Sequence, residues 1–600
     1  MNKTILFTIG YLLLSTVPAW TQETMVHVDT ILVVATREFP FTKQVVTVDT
    51  FATHPAQWIQ MPALSINAYS INGLATLSNR GMSSRHTAIL FEGITINGTT
   101  TGVADVSLLP LNYFNANKLF KDGMAASFGN HTLGGALLLK SNGSDHNKVT
   151  ASISANTLHN RRMGLDINLA TKENKFRFFW EEVNDFNKIP FNYSGTRLTS
   201  TPFHKKGRNI NADASFSLPG TQTLDVAVWL QRFDRDIPGP YFEDLSQFQI
   251  DDNLRVVFNH KYHTNSLTFK NQVGFFNEKL NYKASGVNSN AESQQIVLAT
   301  TATYKDTWIA GATLKSESVN ANFYQDTKKR NILMLSGGVK WKIGTSRFQA
   351  LLSPHFNNGK PTPINAEIRW ESPTFYGSLL RNYNLPGFND LYWPTGGNIN
   401  LKTEKSSQIN FGANFRLGQN FAVKTSFFSY WIDDYIQWIR LGGSIWTPDN
   451  LKKVWSRGGE LMVEYNHTNG FSERRVSLQY GFTKATNLAD YQSLAVGRQL
   501  LYVPVHKASL AGYYGFRKWY VHADLVYVGK RYDTSDNSYF LDPFVTGSLK
   551  TGYSTAFKDL VLKIGMGLEN IWQTRYEFIR AYPMPLRNIT IQSTIQYRLP

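Results

Sequence analysis

Residues 588–599 alternate between two chemistries without a break in step. Ile589, Ile591, Ile595, Tyr597 and Leu599 share one face with Ser593, while Asn588, Thr590, Gln592, Thr594, Gln596 and Arg598 share the other. Such an extended dyad is long for a soluble strand. It matches a tilted membrane strand of about 9–11 residues with one face in lipid and one in a wet lumen. The pattern recurs at 519–528, where Trp519, Val521, Ala523, Leu525 and Tyr527 oppose Tyr520, His522 and Asp524. It recurs again at 224–230, where Leu224, Val226, Val228 and Leu230 alternate with Asp225, Ala227 and Trp229. Beyond the amino terminus no apolar run is long enough for a spanning helix, so a chain of this kind crosses a bilayer only as a closed barrel, whose strands satisfy one another's backbone groups. A soluble sandwich or propeller also alternates. Strand length, an aromatic content of 14% and the export signal described next favour the barrel.

Lys3 precedes an apolar stretch over residues 5–17, followed by Ala19-Trp20-Thr21. This is the pattern of a secretory signal peptide cleaved before Gln22, and the stretch is short of the ~20 residues a membrane anchor needs. The absence of Cys removes disulfides, thiolate metal sites and Cys nucleophiles. No HExxH, phosphate-binding loop or nucleophile elbow occurs, and the 13 His show no metal spacing, so neither an enzyme, a cofactor nor a fixed metal site is expected. The net charge of +17 points to anionic partners; export argues against nucleic acid and leaves lipid head groups or an anionic cargo. Two basic runs, 204–208 and 328–330, are candidates for either.

Residues 22–141 read differently, as a compact glycine-rich mixed sheet without long dyads. They contain Asp29-Thr30-Ile31-Leu32-Val33-Val34-Ala35-Thr36, then Asn79-Arg80-Gly81-Met82, the strand 87–94 ending Phe91-Glu92-Gly93-Ile94, the turn 105–110, and the segments 121–129 and 133–136. The later chain carries Pro386-Gly387-Phe388-Asn389-Asp390-Leu391-Tyr392-Trp393, the segment 397–404, Ser456-Arg457-Gly458-Gly459-Glu460, residues 503–507, and 582–588 leading into the final dyad. In this order the motifs resemble the TonB-dependent outer-membrane receptors. Asp122 departs from the family pattern, which tends to have no acid there, and the ending Tyr597-Arg598-Leu599-Pro600 departs from its usual terminal aromatic.

The resemblance implies an all-β transmembrane barrel of about 22 antiparallel strands in the outer membrane, with an N-terminal mixed α/β plug domain in its lumen. It divides the chain into a signal peptide (1–21), a TonB-box segment (22–40), a plug (41–145) and a barrel (146–600). Residues 29–36 would be the strand that the protein TonB, driven by its inner-membrane energising complex, grips by edge pairing. The outer membrane holds no energy source of its own, so uphill import borrows the proton-motive force. Arg80 would contact barrel acids, with Glu404 and Glu460 as candidates, in a latch that pulling releases. Ligand contacts would come from Ser83, Ser84, Arg85 and His86, from Asn97 and Thr99 in the polar loop 97–101, and from Tyr392 and Trp393. The implied function is import of a scarce metal chelate, cobalamin or a ferric siderophore, by a monomer in outer-membrane lipid. A haem receptor of the same family and a passive porin or adhesin are the alternatives.

Overall fold

The computed structural model describes residues 45–47 and 61–599, apart from 62, 72, 115, 116, 142, 243–246, 441–445 and 489–493. The segments 1–21 and 29–36 lie outside the described residues. From Lys148 onward the chain forms a closed antiparallel sheet of 24 segments. Two strands are each broken in two, at Pro354 and at residues 362–364 around Pro363, so the barrel has 22 strands. Proline carries no N–H for the ladder, and both breaks fall on facing strands of one hairpin. The barrel closes where Asn588–Arg598 pairs with Lys148–Asn156, from Thr590 opposite Asn156 to Arg598 opposite Lys148.

The sheet turns its apolar side outward. Ile589, Ile591, Ile595 and Tyr597 are exposed, as are Trp519, Val521, Leu525 and Tyr527, and the alternation read from the sequence is the lipid face. Consecutive strands are joined by turns of two or three residues at one end and by loops as long as 385–403, 488–505 and 570–587 at the other. At the short-turn end Trp308, Phe421, Phe471, Phe516, Trp519 and Phe557 project outward in the position of an interfacial girdle.

The lumen is occupied by the N-terminal region. Its five-stranded sheet has the order Val45–Thr47, Lys118–Phe120, Gly135–Leu139, Thr87–Phe91, Ile94–Thr95; only the pairing of Thr87–Phe91 with Gly135–Leu139 is parallel. Contacts from this region reach barrel strands around the ring. Tyr113 donates to Asp213, Gln272 to the Glu92 carbonyl and Gln295 to the Thr95 carbonyl. Arg369 pairs with Asp122 at 2.7 Å, and Lys507 donates to the carbonyls of Met61 and Leu64. The apolar part of the junction is aromatic. Trp229, fully buried on the inner face, meets Phe91 and Phe114 edge-on at 5.4 Å, lies under the Arg255 guanidinium at 4.3 Å and donates to Asn209. The basic runs also turn inward in part. Lys205 donates to the Ser107 carbonyl and Arg330 pairs with Glu317, both buried, so these two cations face neither lipid nor open solvent.

Candidate functional site

The turn after strand Ala75–Asn79 places Arg80 in the left-handed region at φ 51°, followed by Gly81 at φ 71°. A Cβ on Gly81 would come within 2.9 Å of Ala485 and Thr483 on the barrel wall, so a side chain there would push the turn off the wall. With the turn seated, the Arg80 guanidinium is buried in a barrel-built socket. Nε donates to Glu460 at 2.7 Å, Nη1 to Asn410 and Tyr430, and Nη2 to Ser426, while the cation sits 4.7 Å over the Phe428 ring. Glu460 also accepts from Lys121 at 2.5 Å and from Ser426 at 2.9 Å. Burial pulls the Lys121 ammonium below its ordinary pKa, and the adjacent Arg80 adds to this against the pull of Glu460. One carboxylate thus serves two cations of the N-terminal region.

Glu404, expected beside Arg80, instead holds His86 at 3.0 Å. It also accepts from the Ile436 amide and from Asn384. The spacing of motifs along the chain could not distinguish the two acids. Their separation comes from barrel shear, which carries Glu404 toward the long-loop end of its strand Glu404–Leu417 while Glu460 lies mid-strand in Trp446–Asn469. Asp122 has a physical reason in its partner: Arg369 binds it and the Gly123 carbonyl.

At the long-loop end, residues 83–86 form a short 3-10 turn, Ser84–His86, capped by Ser83, whose hydroxyl accepts from the Arg85 amide. Arg85 forks onto both oxygens of Asp390, in the short helix Phe388–Tyr392 of loop 385–403. Asp390 further accepts from the Gly387 amide at 2.7 Å and from the Trp438 indole at 2.9 Å. The Asn389 amide donates to the Thr100 carbonyl at 2.9 Å, and the Phe388 amide to that of Thr99 at 3.4 Å. The loop is therefore clasped to the N-terminal region by its backbone as well as by charge. Asn97 is a buried turn clamp, accepting from the Ile89 amide and donating to the carbonyls of Thr87 and Gly102. Tyr392 lies against Tyr324 and under the Lys328 ammonium, and Trp393 lies against Phe323.

Beside this clasp is a cavity of ~200 Å³, lined from the N-terminal region by Asn67, Met82, Ser83 and Ser84, and from the barrel by Tyr435, Gln437, Arg498 and Tyr502 among others. Of the ligand residues expected from the sequence, Ser83 and Ser84 line it. Arg85, His86, Asn97, Thr99, Tyr392 and Trp393 do not; they are engaged in the contacts above. The barrel residues of the lining were not legible in advance, because Tyr435 and Gln437 sit in a strand whose alternation reads like any other and residues 498–502 lie in a loop. Among the described residues no group of acids and histidines could hold a metal ion.

Comparison with known proteins identifies a family and a fold. Residues 107–571 match the model "TonB dependent receptor-like, beta-barrel". The vitamin B12 transporter BtuB of Vibrio vulnificus is 21% identical over 86% of this chain and 84% of its own. The metal-pseudopaline receptor CntO of Pseudomonas aeruginosa is 33% identical over 118 residues, 18% of this chain and 16% of its own. Among solved structures, the copper transporter OprC superposes with a TM-score of 0.76 at 15% identity, covering 93% of this chain and 98% of that one. The siderophore receptor PirA of Acinetobacter baumannii superposes at 0.75 and 13% identity, with 93% and 98% covered.

Proposed function

The chain belongs to the TonB-dependent receptor family, an outer-membrane family, and on that premise we propose that it imports a scarce metal chelate, cobalamin or a ferric siderophore, against its gradient. The observation that supports active import over passive diffusion is the filled lumen. An N-terminal region tied to the barrel by Arg80–Glu460, Lys121–Glu460, Asp122–Arg369 and Arg85–Asp390 occupies the lumen, so passage requires that such contacts be broken by work. Buried pairs contribute little net stability but are costly to separate singly, which suits a latch released by pulling. The segment 29–36 is the handle this reading needs, and TonB the partner that would grip it.

Ligand would enter at the long-loop end and meet Ser83, Ser84, Tyr435 and Tyr502. The cavity there is smaller than the ~300–1,000 Å³ of a pocket enclosing a whole drug-sized ligand, so it would take one substituent of a larger chelate while the rest lies among the loops. The full-length BtuB relatives favour cobalamin, and the CntO relative and the PirA likeness favour a metal-bearing chelate of another kind.

Two measurements test the proposal. A strain lacking the gene is screened for growth on cobalamin, on several ferric siderophores and on haem, each as sole source. With the restored substrate in hand, deletion of residues 29–36 should abolish uptake and leave surface binding intact; unchanged uptake would refute energised transport.

A further inference from the structure

The excess positive charge has a location that neither the latch nor the ligand cavity accounts for. The loops at the long-loop end carry equal numbers of acidic and basic residues, as do residues 1–147, so most of the excess sits on the strands. At the short-turn end, bases face one another across the ladder in register: Lys148 opposite Arg598, Lys261 opposite Lys270, and Lys342 opposite Arg347. Each pair lies on the lumen face. Lys261 is in step with buried Arg255 and Val257, Lys342 with buried Arg330 and Ile332, and Arg598 is out of step with the exposed Ile591 and Tyr597.

Like charges directly opposite on one face of a sheet are unfavourable. Three such pairs on one face at one end call for a counter-charge. Carboxylates supply part of it, since Arg347 meets Glu371 at 3.1 Å and nearby Lys424 meets Glu464 at 2.6 Å. The pairs fall at the closing seam, on the sixth and seventh strands and on the tenth and eleventh, with Arg416 on the fourteenth and Lys563 on the twenty-first, in step with them on the inner face. This distribution describes a ring around the mouth, not a point site, and basic rings of this kind select anions in pores.

We propose that the inner mouth of the barrel is an anion-selective ring that favours multivalent oxyanions, carboxylate- or phosphate-bearing solutes, at the exit. It rests on the import reading for its role: a chelate released past the plug meets a positive field, so an anionic chelate is drawn inward toward the periplasm and a cationic one is retarded. Between the two substrate classes above, the ring favours the negatively charged one.

The absence of Cys makes a direct reading of the field possible. Thr594→Cys places one thiol on the inner face opposite Lys563 and Ser152, and Thr395→Cys places one on the exposed outer loop. In the full-length protein in detergent, each is reacted with two methanethiosulfonate reagents, one bearing a sulfonate and one a trimethylammonium group. The ratio of the two rates, normalised to a free thiol, cancels any change in thiol ionisation. At Thr594→Cys the anionic reagent should be favoured on the order of tenfold, the advantage should shrink at high salt, and Lys148→Gln with Arg598→Gln should reduce it; at Thr395→Cys the ratio should stay near unity. A ratio within about twofold of unity at Thr594→Cys refutes the ring, whatever the transport assays give. Failure of growth restoration with the ratio intact refutes the import reading alone.

Discussion

Replacing Glu460 by Leu removes the one carboxylate that serves both Arg80 and Lys121. Three donors lose their acceptor: Arg80 Nε at 2.7 Å, Lys121 Nζ at 2.5 Å and Ser426 Oγ at 2.9 Å. Arg80 keeps Asn410 and Tyr430, so its geometry survives, but two cations then share a buried socket without an anion. Breaking a buried pair by removing one partner costs about 3–5 kcal/mol. Because both cations belong to the N-terminal region and the acid to the barrel, that cost falls on seating the N-terminal region in the lumen and not on the barrel ladder. Amide hydrogen exchange resolves the two. Strand Ala75–Asn79, which pairs with Leu64–Ala68 and leads into Arg80, should exchange about 10² to 4 × 10³ times faster, since every ~1.4 kcal/mol is tenfold, while strands Gln247–His263 and Leu267–Ala284 on the far wall stay unchanged. Arg80→Leu in the same background should recover part of the loss by removing one stranded cation. An acceleration below about threefold in Ala75–Asn79, or an equal effect across the barrel, would show that the socket does not hold the N-terminal region.

Three further outcomes are expected. His131 is buried with its pKa pushed down to about 3 by desolvation, aided by Lys315 and opposed by Glu317, so it stays neutral where the unfolded chain protonates. Its folded value lies below the unfolded ~6.5, so stability is lost as pH falls from about 6.5 toward 3, at ~1.4 kcal/mol per unit; His131→Gln should flatten the pH slope of exchange in the N-terminal sheet over that window. Gly135→Ala places a Cβ 2.4 Å from the Phe120 carbonyl at φ 121°, and should leave the sheet unseated and protease-sensitive with the barrel intact. Trp229→Ala empties the aromatic contact with Phe91 and Phe114 and should cost about 3–5 kcal/mol in the same exchange readout.

The barrel was legible because one physical constraint governs each strand: lipid on one side and water or protein on the other leave a period of two that a single sequence displays. The alternation placed Leu224, Val226, Val228 and Leu230 together, and Leu230 is exposed to lipid as expected. It also placed Trp229 on the wet side, where the structure buries it against Phe91 and Phe114, because the lumen is filled by protein and polarity on that face is set by what packs there. The socket was legible in half. Arg80 and Glu460 meet, whereas Glu404 takes His86, a choice fixed by how far each acid stands along a tilted strand. Arg85 and His86 look like ligand contacts in sequence because they are polar and follow a turn; their barrel partners Asp390 and Glu404 lie some 300 residues away and leave no local trace.

The seam between Lys148–Asn156 and Asn588–Arg598 joins the two ends of the sheet's sequence, and its consequence is one of timing. Every other barrel ladder joins strands that follow one another in the chain and can form as it emerges, but this one joins the first strand to the last. Until then the sheet keeps two open edges, each able to recruit a foreign strand, and the rim residues Lys148 and Arg598 repel at the point of closure. A chain cut short before Asn588 would keep every local pairing up to Leu560–Glu569 and form no cylinder. Completion is thus decided in a single late step, and an assembly factor that shelters one edge until Arg598 arrives would act where the intermediate is most exposed.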